Sequence, residues 1–368
     1  MIRDPETLNL LLDSIRQFVR ESLVPHEQEV AETDRIPEAI IARMREMGLF
    51  GLSIPEAYGG LGVTMEEEVS IAFELGRTSP AFRSLLGTNN GIGSQGIVID
   101  GTEEQKRRYL PRLASGELLS SFCLTEPDSG SDAASLKTTA VRDGEHYVLN
   151  GTKRFITNAP QAGRISAFVV ERGTPGLSLG KPDRKMGQKG AHTCDVIFDD
   201  CRVPASQLIG GVEGVGFKTA MKVLDKGRLH IAAVCVGVAE RMLEDALRYA
   251  LERKQFGQPI AEFQLIQAML ADSKAEAYAA RCMVIDAARQ RDEGRDVGTE
   301  ASCAKLFASE MCGRVADRAV QIFGGAGYIG DYGIERFYRD VRLFRIYEGT
   351  TQIQQLLIAR NMIRAAQG

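Results

Sequence analysis

Val141-Arg142-Asp143-Gly144-Glu145-His146-Tyr147-Val148-Leu149-Asn150-Gly151 is where the chain changes its period. Asp143-Gly144 and Asn150-Gly151 read as hairpin turns, and Val141, Tyr147, Leu149 and Phe155 stand around them in near alternation. Further strand-like runs are Ser166 to Val170 and Asp195 to Phe198. Residues 118–212 therefore read as a small β domain. Gly210-Gly211, Gly214 and Gly216 form the loop that leaves it.

Working outward, both flanks have the helical period. Asp4 before Pro5 is a helix-start signal, followed by Leu8, Leu11, Leu12, Ile15, Phe18 and Val19 at helical spacing. Pro37 starts a second helix that Gly48 ends. Thr64 with Glu67 and Thr102 with Gln105 match the capping box, which predicts helices from about 65 and 103. Residues 1–117 thus read as an all-α domain. Beyond the β domain, periodic stretches near 215–253, 262–293, 297–323 and 350–365 predict a C-terminal four-helix bundle over 213–368. The fold class is α+β, mostly α.

Bulk composition excludes several functions. Net charge is −4, with 26% charged and 44% hydrophobic residues. With pI near 5.8 there is no electrostatic reason to expect nucleic acid or an anionic membrane as partner. The densest basic run, Lys106-Arg107-Arg108, reads as a solvated helix face. Seven cysteines form no Cys-x-x-Cys pair, which suits a reducing compartment, and four scattered histidines predict no metal site. No apolar run reaches spanning length and no basic leader opens the chain, so a cytoplasmic enzyme is expected.

Two segments near the C-terminus carry candidate chemistry. Gly325-Ala326-Gly327-Tyr328-Ile329-Gly330 fits the dinucleotide fingerprint by letter, but Val315, Ala319, Val320 and Ile322 before it read as helix, not strand. Arg345-Ile346-Tyr347-Glu348-Gly349-Thr350-Thr351-Gln352 places a carboxylate between an apolar pair and a glycine. Ile346 and Tyr347 would limit hydration, raising the pKa as a base for carbon-bound protons requires. Gly349 would admit a ligand to the backbone, and Thr350 or Thr351 would cap the next helix. By itself the segment is better read as a surface Glu in an ordinary loop before a helix.

Longer motifs decide between these readings. Cys123-Leu124-Thr125-Glu126-Pro127-Asp128-Ser129-Gly130-Ser131-Asp132 resembles the first signature of the acyl-CoA dehydrogenase family. Gln321 to Tyr328, with Asp331, Arg336 and Asp340, resembles the second. Tyr347-Glu348-Gly349-Thr350 is similar to the family's catalytic loop, and Glu252 to Gly257 to its flavin-pyrophosphate segment. The resemblance runs in order from about residue 8 to 365.

It implies an FAD enzyme that desaturates an acyl-CoA thioester and passes electrons to an electron-transfer flavoprotein, in fatty-acid β-oxidation. Glu348 would take the α-proton while the flavin takes the β-hydride, with the thioester oxygen held by the backbone N–H of Glu348 and the flavin ribityl chain. The resemblance places Phe122, Leu124, Thr125, Gly130 and Ser131 beside the flavin, with Phe155, Ile156 and Thr157 covering its other side. Arg253, Gln255, Phe256 and Gln264, with Gln321, Gly324, Gly325, Thr350 and Gln352, would hold the pyrophosphate and adenine end across a subunit interface. A homo-oligomer, as a tetramer, is implied. Ser131, Asp225, Arg228 and Gly349 match positions at the thioester end. Some relatives place their base where Gly227 stands, so that position cannot serve here.

Three departures matter. Phe155 stands where the family commonly has Trp, which keeps a stacking ring but loses an N–H. Phe82-Arg83-Ser84 resembles an element of glutaryl-CoA dehydrogenase in which the Arg meets a distal carboxylate of the acyl chain. The alternative partner for Arg83 is an acid such as Glu74, and the acid accompanying that Arg in the relative is replaced by Gly76. A decarboxylating enzyme of that kind, an oxygen-using oxidase and a low-turnover flavin-binding protein with a protective role are the alternatives. Finally, the family runs through a further strand and loop, roughly twenty residues, between positions matching Gly163 and Arg164. A β domain without that strand would expose its edges, so a segment missing at this junction is expected.

Overall fold

The computed structural model describes residues 2–132, 135–156 and 166–367. Its N-terminal part is helical throughout: α1 (Pro5–Phe18), α2 (Glu27–Thr33), α3 (Glu38–Glu46), α4 (Met65–Leu75), α5 (Pro80–Gly87), α6 (Gln95–Asp100) and α7 (Glu103–Ala114). The starts follow local chemistry. The Asp4 side chain accepts the Glu6 N–H, and complete capping boxes open α4 at Thr64 and α7 at Thr102. Lys106 and Arg107 on α7 both lie within ion-pair reach of Glu103.

The middle part is one antiparallel sheet, ordered β1 (Thr139–Asp143), β2 (His146–Ile156), β4 (Cys194–Pro204), β3 (Leu177–Leu179). Gly144, at φ +57, takes the first central position of the β1–β2 turn, with Asp143 opposite His146. Asn150-Gly151 is no hairpin turn. It lies inside β2, where the register against β4 shifts between Leu149 and Gly151, so the dipeptide supplies a bulge. A Cβ at Gly151 would meet Thr138 Oγ1 at 2.3 Å, a close approach that only glycine permits. Ser166 to Val170 is no strand either, because its one pairing is the bridge between Phe168 and Leu208. The expected break at 163/164 falls outside the described residues.

The C-terminal part comprises α8 (Gly216–Glu252), β5 (Lys254–Gln255), β6 (Gln258–Pro259), α9 (Gln264–Asp292), α10 (Gly298–Phe323), α11 (Ile334–Val341) and α12 (Thr351–Gln367). The fingerprint-like glycines follow α10 as a 3-10 turn, Gly324–Tyr328, with no strand before them. Helices α8, α9 and α10 enclose an apolar core. Helix α4 contributes Met65, Val69, Ala72 and Phe73 to it, so this N-terminal helix packs as part of the bundle. Backbone approach makes that possible. A Cβ at Gly237 of α8 would lie 2.2 Å from Phe73 O, and one at Gly76 would lie 2.8 Å from Val234 O. Gly76 therefore has no room for a side chain.

Among the described residues no helix is long and apolar enough to cross a membrane, and no His/Cys/Asp/Glu group is placed to hold a metal ion.

Gly237→Ala should force α4 and α8 apart and lower unfolding free energy by about 1–3 kcal/mol. Chemical denaturation of the variant against wild type checks this.

Candidate active site

Glu348 follows a 3-10 turn (Arg342–Arg345) and sits at φ +56, a left-handed conformation uncommon outside glycine. Gly349 follows at φ +88. The loop is held from three sides. Lys305 of α10 donates from Nζ to Gly349 O at 2.6 Å, Gln354 donates from Nε2 to Glu348 O at 2.9 Å, and Thr351 Oγ1 donates to Glu310 at 2.6 Å. Thr350 caps α12, its Oγ1 accepting the Ile353 N–H at 3.3 Å.

The carboxylate is turned inward. Glu348 Oε2 is buried without a hydrogen-bond partner, and a Cβ at Gly227 of α8 would lie 2.7 Å from it. The missing side chain at Gly227 is the space Glu348 occupies. Burial pushes the Glu348 pKa up, while the charges of Arg83, Arg228 and Lys305, in that order, pull it back. Of the preceding pair, Ile346 is 48% exposed and does not shield the carboxylate, whereas Tyr347 packs against the bundle core with its hydroxyl buried; α8 closes on the carboxylate at Gly227. Burial also pushes the Lys305 amine down to about 8.

Arg83 does not pair with Glu74, which binds Arg16 at 2.9 Å. Its Nε donates to His230 Nε2 at 2.9 Å, and both side chains are buried. Arg228 is ion-paired with Asp225 on its own helix and keeps a buried Nε without a partner. His230, Lys305 and Gln354 are the residues that sequence reasoning missed. They stand on separate helices, and each ends at the site only through packing.

A second cluster lies at the edge of the sheet. Lys153, fully buried, pairs with Glu126 at 2.7 Å, and Glu126 also accepts the N–H groups of Lys137 and Thr138. Thr125 O accepts the Arg154 N–H at 2.9 Å, so Leu124-Thr125 runs beside Arg154-Phe155. Between Lys153 and Ile156 the register shifts a second time, and Phe155 takes φ +56. The alternation is broken there. Phe155 points outward, 64% exposed, whereas Ile156 enters the core at 4%. Only the backbone of Ile156 can face a ligand, and Thr157 lies outside the described residues. Phe122 is half-buried, while Gly130 and Ser131 are exposed.

The remaining candidates gather at the far end of the bundle. Tyr249 stacks on Phe323 at 4.2 Å between centroids, joining the end of α8 to the end of α10. Arg253, Gln255, Gln264 and Phe256, 95% exposed, therefore share that end with Gln321, Gly324 and Gly325. A Cβ at Gly324 or Gly325 would meet nothing within 4 Å. Gly324 is nineteen residues beyond Lys305 on α10, roughly 28 Å along the helix. An exposed ring held at positive φ and, at a separate place, an open glycine pair are features that fit a large planar cofactor with a phosphate tail. Gln352 is exposed on the first turn of α12.

Models of the acyl-CoA dehydrogenase N-terminal, middle and C-terminal domains match residues 5–117, 121–201 and 214–363. A Bacillus subtilis protein named acyl-CoA dehydrogenase is 44% identical over 364 residues, 95% of this chain and 96% of that one. Subunit CarC of the caffeyl-CoA reductase-Etf complex of Acetobacterium woodii is 42% identical over 91% of this chain and 92% of its own. The structure of an acyl-CoA dehydrogenase complexed with FAD from Bacillus anthracis superposes at a TM-score of 0.91 with 36% identity, covering 99% of this chain and 68% of that one.

A carboxyl whose folded pKa is raised stabilises below its unfolded value, 4.5, and loses that contribution as pH rises through the folded value. Glu348→Gln should therefore melt higher than wild type at pH 8, with the gap closing toward pH 4. Melting temperature measured across that range tests the burial.

Proposed function

The chain belongs to the acyl-CoA dehydrogenase family of FAD-dependent oxidoreductases, and from that premise we propose that it desaturates an acyl-CoA thioester between the α and β carbons with Glu348 as base. The observation that carries this reading is the unpartnered, inward Glu348 Oε2 opposite Gly227. A buried carboxylate with an empty acceptor site is poised for a weakly acidic C–H proton, and burial supplies the basicity. The backbone N–H of Glu348 donates to none of the described residues. It is free to hold the thioester oxygen as negative charge develops there. Gln354 and Lys305 fix the two peptide units that follow Glu348, which restrains the loop carrying that donor before substrate arrives.

When bound, FAD supplies the acceptor for the β-hydride. Leu124, Thr125 and Phe155, with Phe122, Gly130, Ser131 and the Ile156 backbone, would hold its ring. Arg253, Gln255, Phe256, Gln264, Gln321, Gly324 and Gly325 would hold the diphosphate and adenine end, with Thr350 and Gln352 between. The separation along α10 supports a site completed by a second subunit, and exposed Leu356, Met362 and Ile363 on α12 offer apolar surface for a homotetramer. Ser131, Asp225, Arg228 and Gly349 would meet the thioester end of the substrate. Domain limits at 117/118 and 212/213, a cytoplasmic location and a place in fatty-acid β-oxidation complete the reading. The name of the CarC relative supports an electron-transfer flavoprotein as acceptor.

One observation favours a second reading. Among the described residues no carboxylate forms an ion pair with Arg83, although Arg83 is only 7% exposed. An acyl chain ending in a carboxylate would supply that partner, as in a glutaryl-CoA dehydrogenase.

Anaerobic mixing of the FAD-loaded protein with straight-chain, branched and glutaryl-CoA substrates should bleach the oxidised flavin band with one class. Glu348→Gln should lose about a hundredfold to ten-thousandfold of that rate, the range over which a positioned general base acts. Carbon dioxide release from glutaryl-CoA would favour the second reading. Absence of bleaching by every acyl-CoA would overturn both.

A further inference from the structure

Arg83 is held by a neutral partner. Its Nε donates to His230 Nε2 at 2.9 Å, so that nitrogen carries the lone pair and the ring proton sits on Nδ1. Nδ1 donates in turn to Glu68 Oε1 at 2.9 Å, and Glu68 Oε2 faces Lys226 Nζ at 2.9 Å. All four side chains are buried. On its other side the guanidinium folds over Gly87, where a Cβ would lie 2.5 Å from Arg83 Cζ. A glycine and an imidazole together define where the cation stands.

We propose that His230, backed by Glu68, is a positioning residue that holds Arg83 beside Glu348 with its charge uncancelled. This rests on Glu348 being the base. A carboxylate at position 230 would satisfy Arg83 equally well but neutralise its field at Glu348. A neutral imidazole accepts the Nε–H and leaves the charge in place. The groups facing His230 are Glu68 from α4, Arg83 from α5 and Lys226 from its own helix; burial, then Arg83, push its pKa down to about 4, against Glu68. The groups facing Glu348 are Arg83, Arg228 of α8 and Lys305 of α10, of which Arg83 lowers its pKa most. The imidazole thus stays uncharged through the range in which the base works. Arg83 can then hold Glu348 ionised against burial.

The test is the pH dependence of the anaerobic flavin-bleaching rate in the full-length, FAD-loaded protein, with melting temperature recorded for each variant. His230→Leu and Arg83→Met should both move the acid limb upward by about one pH unit, the scale of losing one nearby opposite charge. His230→Gln keeps an acceptor for Arg83 and a donor for Glu68, and should retain the wild-type limb. Gly87→Ala displaces the guanidinium without touching the imidazole and should shift the limb as His230→Leu does, which serves if the latter fails to fold. A lower melting temperature in His230→Leu with an unmoved acid limb would leave a structural role only and sink the proposal. So would equal shifts in His230→Leu and His230→Gln. Wild-type protein that bleaches with no acyl-CoA sinks the desaturase reading and this role with it, whereas bleaching with unmoved limbs sinks this role alone.

Discussion

The backbone approach of α4 to α8 at Gly76 and Gly237 is the constraint on which the site depends. Two helices whose axes close on glycines can bury polar side chains between them farther along, because no intervening Cβ sets the spacing. Glu68 of α4 thereby reaches both Lys226 and His230 of α8, and Arg83 reaches His230 from the next helix. The same stretch of α8 carries Gly227, whose missing side chain makes the space for Glu348. The other end of α4 is fixed independently, since Asp292 at the end of α9 accepts the N–H groups of Met65 and Glu66.

Charge is distributed around that packing in one direction. Three cations, on α5, α8 and α10, favour the ionised form of a single carboxylate whose own burial favours the neutral form. Each cation is also tied elsewhere: Arg83 to an imidazole, Arg228 to Asp225, Lys305 to a backbone carbonyl. None makes a direct salt bridge to Glu348 among the described residues. Direct pairing would hold the carboxylate in the ionised state and oppose proton uptake, whereas cations at a remove bias its charge and leave the oxygen open. The sheet solves a different problem. A bulge and a positive φ turn Phe155 out of the alternating pattern, and the buried Lys153–Glu126 pair stiffens the segment beside it. The strain of that positive φ is thus carried at an exposed ring.

Local rules were legible in the sequence wherever a short-range interaction decides the outcome. The capping boxes at Thr64 and Thr102, the Asp4 cap, the four long C-terminal helices and the refusal of a strand before Gly325 all follow from side chains within a few residues of one another. Asn150-Gly151 shows the limit of the same rules. A dipeptide that favours left-handed backbone serves a bulge as well as a turn, and the pairing strand β4 decides between them. Ser166 to Val170 has strand composition but pairs only through an isolated bridge at Phe168 and Leu208, flanked by backbone bonds to Gln207 and Ile209.

The sequence by itself determined the α–β–α order and the family, and it singled out Glu348 as the candidate base, because these rest on local periodicity and on motifs contiguous in the chain. Only the tertiary structure decided what surrounds that carboxylate. α8 closes on it at Gly227 while Ile346 beside it stays exposed, and the partner of Arg83 is His230, 147 positions away, rather than Glu74 nearby. Burial and hydrogen-bond geometry are properties of helices that cross, and no spacing along the chain encodes where two glycines will let them meet.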